Sequence, residues 1–266
     1  MKVTTRNVEV QYGRKRVLDA LDFDAEAGQL TAIVGPNGSG KSTLLKAICG
    51  DLPYSGSVTL NDFEVAKTPA WQMAALRGVL PQASNLAFPF TALEVVRIGL
   101  STGTGAKQHA QATAALDRVG LYKYAEQLYQ ELSGGEQQRV QLARVLAQVW
   151  QPVKDDVPRW LILDEPVSSL DVAHQLEVMR LARDFSRAGG GVIAVMHDLN
   201  LTGLFSDKVV VLSEGQALAA GPTYKVMTDD VLSQAYACDL RVNAVPNGPA
   251  PFVLPHLTAY AAGAVN

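Results

Sequence analysis

The sequence predicts an α/β fold in which strands and helices alternate around a phosphate-binding loop, and three observations carry that reading. GPNGSGKS (35–42) stands between the apolar run LTAIVG (30–35) and a short helical pattern, the strand–glycine loop–helix order that phosphate sites use. WLILDE (160–165) and GVIAVMHD (191–198) are continuous apolar runs, as expected of parallel strands buried on both faces. Residues 172–187 lie between those two runs with apolar side chains at helical spacing, which completes a β-α-β unit.

Taken in order, VEVQY (8–12) alternates as a half-buried strand, and Gly28 precedes the strand at 30–35. Residues 43–49 read as a short helix ended by Gly50. SGSVTL (55–60) is a strand after a Pro-Tyr turn. From about 91 to 150 the pattern is helical: ALEVVRIGL, HAQATAALDRVGL and GEQQRVQLARVLAQVW, with a Gly/Thr/Ser linker at 101–105. KVVVLSEGQALAAG (208–221) returns to strand, and the chain after 241 is rich in Pro, Ala and Gly without a charged side chain. No internal repeat is present. One loop is unusual. In LPQASNLAFPFT (80–91), Pro89 rules out the interior of a regular strand or helix. Phe88 and Phe90 must then be covered by the core or by a partner.

The 266 residues, 48% hydrophobic, suffice for one large α/β domain or two lobes around a shared site. A net charge of −3 argues against a nucleic-acid binder, whose footprint is a basic patch. Two widely separated cysteines argue against a disulfide framework and fit a reducing compartment. MKVTTRNVEV has no apolar h-region, so no signal peptide is expected. No apolar run is long enough to span a bilayer, so any membrane role comes through a partner.

The chemistry follows from the loop. Glycines at 35, 38 and 40 let backbone N–H groups curl around phosphate oxygens, and the following helix points its N-terminus at them. Gly35, Pro36, Asn37, Gly38, Ser39, Gly40, Lys41, Ser42 and Thr43 are therefore the candidate phosphate-binding residues. Lys41 supplies positive charge for the β- and γ-phosphates, and Ser42 a hydroxyl for Mg2+. Asp164 and Glu165 end an apolar strand, at the sheet edge where α/β ligands bind. Asp164 suits Mg2+, directly or through water; Glu165 suits a general base that orients or deprotonates water.

LSGGE (132–136), standing between the phosphate loop and LILDEP, resembles the signature motif of ATP-binding-cassette (ABC) proteins, and the resemblance covers about residues 3–240. It implies an ABC-type P-loop NTPase with a RecA-like core, an antiparallel β subdomain and a helical signature subdomain. The nucleotide-binding domain would be 1–240, with the helical part at about 86–150, and 241–266 a Pro/Ala-rich tail. Ser133, Gly134 and Gly135 form a second anion site at a helix N-terminus. In this family the two anion sites meet across a head-to-tail homodimer, with ATP between one chain's loop and the other's signature. The resemblance makes Tyr12 the adenine-stacking aromatic and Gln82 a contact for Mg2+ and the attacking water. It places Asp171, in SSLD (168–171), in a loop that signals across the dimer, and His197 at the γ-phosphate. His109, His174 and His256 match no motif and read as surface or packing residues. Val167, Ser169 and Glu136 depart from the commonest family wording, and none of them removes a phosphate, metal or base ligand.

In ABC importers the segment after this glutamine forms a groove for a helix of the membrane subunit. An apolar, proline-stiffened rim suits such a docking surface; one of Phe88 and Phe90 is expected to be mostly buried and at least one to line the groove. LPQ-x-S-x-LAFPFT-x-x-EVV resembles the haem-import ATPases, as does the long connection AQVWQPVKDDVPRW with Trp150, Pro152 and Trp160 framing a polar insert. MHDLNL (196–201) is shared more widely with siderophore and cobalamin importers, which stand as the alternative. The resemblance thus implies two copies on the cytoplasmic face of a bacterial inner membrane, peripheral, joined to two permease subunits and served by a periplasmic haem-binding protein. Haem ligation by this chain is not expected, because no histidine or cysteine constellation offers axial ligands. Non-transport ABC proteins generally pair two cassettes or carry a long coiled coil; this chain has one cassette and neither insertion. Retention of Glu165 and His197 argues against a non-hydrolysing regulatory cassette.

Overall fold

A computed structural model describes residues 1–82, 88–100, 105–246, 248 and 251–255. The chain opens with two long strands, β1 (Lys2–Tyr12) and β2 (Lys15–Glu26), followed by β3 (Leu30–Val34) and helix α1 (Lys41–Cys49). Next come β4 (Ser55–Leu60), β5 (Phe63–Glu64), α2 (Ala70–Leu76) and β6 (Arg77–Leu80). Three helices follow, α3 (Ala92–Ile98), α4 (Gly105–Arg118) and α5 (Gly134–Gln148), with 3-10 turns between the last two. A small hairpin, β7 (Val153–Lys154) and β8 (Val157–Pro158), leads into β9 (Trp160–Asp164), α6 (Val172–Arg187), β10 (Gly191–Val195) and α7 (Leu199–Phe205). The chain continues through β11 (Lys208–Ser213), β12 (Gln216–Pro222), α8 (Thr223–Val226) and α9 (Asp229–Tyr236).

A six-stranded sheet runs in the order β12-β11-β3-β10-β9-β6, parallel except for β12. A four-stranded antiparallel sheet, β2-β1-β4-β5, lies beside it. The period of two along each strand divides the core. Ile33, Ile162 and Ile193 face the antiparallel sheet together with Leu44 and Ile48 of α1. Leu161, Leu163, Val192 and Ala194 face the opposite way, into the helices. Helix α1 is thus covered by both sheets, which fixes the loop at its start.

The strand at 55–60 and the helix at 172–187 fall where the sequence places them, and the strands begun at 160 and 191 end earlier, at Asp164 and Val195. Residues 8–12 are only the end of an eleven-residue strand, and α1 begins at Lys41 rather than at 43. Sequence reading missed β2, β5 and β6 and the helices α2, α7, α8 and α9. The pairing of β1 with β2 shifts register three times, which breaks the alternation in the first half of β2, although Leu21–Glu26 alternates apolar and acidic and was readable; β6 has four residues and includes a glycine. The polar insert at 153–158 is a β-hairpin turning at Asp155 and Asp156, both at positive φ (52° and 59°), the geometry of a type I′ turn. Its three framing residues do different jobs. Trp160 is a buried core residue donating to Asn61 Oδ1 at 3.0 Å. Trp150 lies under the Arg118 guanidinium, 4.6 Å from the ring centre, and the Pro152 carbonyl accepts the Arg159 N–H at 2.8 Å.

The linker at 101–105 falls mainly outside the described residues, its last member Gly105 starting α4. The central part of the 80–91 stretch (83–87), His256 and most of the tail also lie outside them. The boundary at 240 is crossed by contacts. Asp229 accepts the Val242 N–H at 2.7 Å and pairs with Arg241 at 3.3 Å. Cys49 is buried and Cys238 exposed, both free. Among the described residues no helix is long and apolar enough to cross a membrane.

Candidate functional site

The strand order puts four loops on one edge. Strands β3, β10, β9 and β6 are parallel neighbours. Their carboxyl ends carry the 35–42 loop, His197, Asp164 with Glu165, and Gln82, respectively. Motifs up to 162 residues apart in the chain meet because the sheet interleaves them.

The loop is glycine-dependent at two points. Gly35 has φ 147°, and a Cβ there would collide with the Leu212 carbonyl. Gly40, the N-cap of α1, has φ 104°, with Leu18 directly over the missing side chain. Lys41 folds back over the loop, its Nζ donating to the carbonyls of Gly35 at 2.9 Å and Pro36 at 3.0 Å. Burial pulls the pKa of this ammonium down, and the nearby Glu165 and Asp164 carboxylates partly restore it. A buried cation against two carbonyls, at a helix N-terminus, is a seat prepared for an anion.

Ser42 Oγ donates to Asp164 Oδ1 at 3.2 Å. Ser42, Gln82 and Asp164 line one cavity of about 290 Å3, which unites the three residues singled out for a metal. Burial pushes the Asp164 carboxyl up; the Ser42 hydrogen bond opposes this and Glu165 adds to it. A carboxylate destabilised by desolvation gains from a cation. Among the described residues no group of three or more His, Cys, Asp and Glu side chains could hold a metal. One carboxylate, one hydroxyl and one amide oxygen instead suit a hard cation that also takes phosphate oxygens and water.

Glu165 adopts φ 51°, a left-handed conformation uncommon for a residue with a side chain. Its N–H donates to Val195 O at 3.2 Å, locking the turn onto β10. His197 Nε2 meets Glu165 Oε1 at 2.6 Å. A carboxylate partner places a proton on that nitrogen. Glu165 is 14% exposed and His197 44% exposed, so the pair opens to the loop edge.

Ser133 caps α5 in a full capping box. Its N–H donates to Glu136 Oε2 at 2.9 Å, and its Oγ both donates to that oxygen at 2.7 Å and accepts the Glu136 N–H at 3.4 Å. Glu136 thus completes the cap, and the Ser133 hydrogen bonds hold its carboxyl below the usual range. The space beside Gly134 is open, whereas Gly135 backs onto Ser169 O. Gln138, which sequence reading did not single out, donates to Glu165 O at 3.0 Å and ties the signature helix to the carboxylate turn. It lies one turn after Ser133, and a glutamine on a helix offers no spacing signal.

Tyr12 is exposed at the end of β1. Asp171 caps α6, its carboxylate accepting the His174 N–H at 3.0 Å and meeting His174 Nδ1 at 2.9 Å. The His174 backbone bond, then the ring contact, pulls the Asp171 pKa down. His174 is therefore a partner of the 168–171 loop, and His109 is exposed. Phe88 is 67% exposed. Phe90 is partly buried against the helical core, its ring 6.2 Å from that of Phe88 and edge-on to it.

A parallel sheet with a phosphate loop, an acidic strand end and a serine-glycine helix start defines an ATP-binding cassette, and the chain belongs to the ABC transporter family, whose model matches residues 18–168. The particular resemblance is narrower. The chain is 58% identical over 262 residues to the Hemin import ATP-binding protein HmuV of Jannaschia sp. (strain CCS1), covering 98% of this chain and 97% of that one. It is 57% identical to the protein of the same name from Roseobacter denitrificans, over 96% and 98% of the two chains. Among solved structures, the dimeric post-hydrolysis form of the ATP-binding cassette MJ0796, bound to ADP and Pi, aligns with a TM-score of 0.71 at 27% identity, covering 83% of this chain and 98% of that one.

Proposed function

We propose that this chain is the ATP-hydrolysing subunit of a bacterial haem importer. The observation that carries the proposal is the near full-length similarity to proteins named for hemin import, at 57% and 58% identity. The site geometry supports hydrolysis. The 35–43 loop and Lys41 bind the phosphates of ATP, and Tyr12 stacks on adenine. Ser42, Asp164 and Gln82 would hold Mg2+, which when bound neutralises charge between the β- and γ-phosphates. Glu165 accepts the proton of the attacking water while His197 Nε2–H holds the carboxylate in place and faces the γ-phosphate. The products are ADP and phosphate.

Ser133, Gly134, Gly135 and Asp171 act on the nucleotide of a second copy, in a homodimer like that of the aligned dimeric cassette. The test is complementation. Ser133→Arg blocks the partner's nucleotide and Lys41→Ala its own, so a mixed dimer keeps one intact site. Hydrolysis is expected to return in part over either variant alone. Proven mixed dimers with no recovered activity would argue against sites shared between chains.

Two such subunits would work with two permease subunits at the cytoplasmic face of the inner membrane, fed by a periplasmic haem-binding protein. Phe88 is the docking ring and Phe90 its buttress, since only Phe90 packs on the core. An open cleft of about 660 Å3 lined by Tyr54, Met73, Arg77, Val79 and Arg144 runs along β6, at whose end Gln82 stands. Phe88→Ala should cost the isolated subunit ~1 kcal/mol or less and weaken permease binding by ~2 kcal/mol. Phe90→Ala should lower the melting temperature clearly more. Thermal melting and a permease pull-down in detergent read both, and unchanged permease binding by Phe88→Ala would contradict docking there.

The cargo is tested by ATPase stimulation of the reconstituted complex. Haem-loaded binding protein should stimulate hydrolysis, and the same assay with a ferric siderophore or cobalamin should not. Stimulation by either of those alone would replace haem as the cargo.

A further inference from the structure

Tyr236, the last residue of α9, is 201 positions from Gly35, yet its phenol oxygen accepts the Gly35 N–H at 3.1 Å. Gly35 is where the sheet stops. Val34 is the last residue of β3 paired with β11, and the phosphate loop begins at the next N–H. Without a ladder partner that donor needs another acceptor. The Gly35 carbonyl accepts Lys41 Nζ at 2.9 Å. Gly35 is therefore held on one side by Tyr236 and on the other by the ammonium, and Leu212 O occupies the space a side chain here would need.

We propose that Tyr236 is a positioning residue for the phosphate site, fixing the Gly35 backbone and through it the phosphate-binding loop. The tyrosine is itself fixed. Its ring packs on the helical core, and Leu232 and Ala235 of the same helix are buried. The chain after α9 folds back along it, Ser233 Oγ accepting the Leu240 N–H at 2.9 Å and Asp229 taking the Val242 N–H at 2.7 Å. Burial pushes the phenol pKa up, so the group stays neutral and acts as an acceptor through its oxygen. The loop's other shoulder is held by main chain alone, Gly215 N–H donating to Ser39 O at 3.2 Å and Asp19 N–H to Gly215 O at 3.1 Å. Tyr236 is thus a support that one atom's removal can delete.

The inference rests on the phosphate-loop reading and is tested beside it. Tyr236→Phe keeps the ring and removes the acceptor. It should raise the dissociation constants of ATP and ADP about three- to tenfold, the scale of one lost hydrogen bond. The KM for ATP should rise with them while kcat stays within about twofold. Leu232→Ala loosens α9 without touching Gly35 and serves as the comparison. At equal loss of melting temperature it should leave nucleotide affinity nearly unchanged. Unaltered affinity in Tyr236→Phe, or an equal loss in Leu232→Ala, would overturn the inference. Lys41→Ala in the same assay separates the two ideas: if it binds ATP as wild type does, the phosphate-loop reading fails first.

Discussion

Replacement of Lys41 by alanine is expected to abolish ATP hydrolysis and to weaken ATP binding. The ammonium is buried at the start of α1 and donates to two loop carbonyls. Desolvation makes the charge costly there, and phosphate oxygens are the partners that would repay it. A hydrogen bond to a charged group is worth ~1.5–3 kcal/mol, and the transition state accumulates more charge on the phosphoryl oxygens than the bound substrate does. The loss should therefore fall on turnover more than on binding. The check is steady-state hydrolysis with an equilibrium measurement of bound ATP. Turnover within a few-fold of wild type would remove Lys41 from the phosphate site.

Glu165→Gln should slow hydrolysis by ~10²-fold or more, the scale of losing a positioned base. The amide keeps the shape of the side chain and can still accept a hydrogen bond from His197 Nε2, so the left-handed turn at 165 should survive. In the proposed site it removes a negative charge from beside the γ-phosphate, so ATP should stay bound and the dimer closed. Size analysis with ATP and no added ADP reads this directly. A variant that remains monomeric while wild type dimerises contradicts a nucleotide sandwiched between two copies.

The site was legible in the sequence where chemistry is local. The phosphate loop and the acidic strand end each carry their residue types in one short run, and an apolar strand precedes both. Ser133 was legible as a helix start, whereas Glu136 read only as a departure from the commonest family wording, and the capping box gives it a structural reason in this chain. The antiparallel sheet was legible only in fragments. In β2 the register shifts interrupt the period before Leu21, but LDFDAE (21–26) alternates apolar and acidic residues, a strand signal that the sequence carried and the reading passed over. Strand β6 is too short to show a period, yet it carries Gln82 to the edge where Asp164 stands. Contacts between distant segments leave no local pattern. Gln138 on the carboxylate turn, His174 on Asp171 and Tyr236 on Gly35 all depend on tertiary packing. The two phenylalanines divided as a proline-bound loop suggests, one ring toward the core and one outward, because Pro89 between them prevents both from following a regular face.

The measurement closest to the central claim is ATP-driven haem accumulation in proteoliposomes holding this chain with its permease, compared with the same vesicles carrying Glu165→Gln. With haem-loaded binding protein on the substrate side and ATP on the ATPase side, wild type should accumulate haem over many turnovers. The variant should bind ATP and stop at one transport event or none. Haem accumulation by the variant at the wild-type rate, or none by the wild type under conditions where it hydrolyses ATP, would contradict the account.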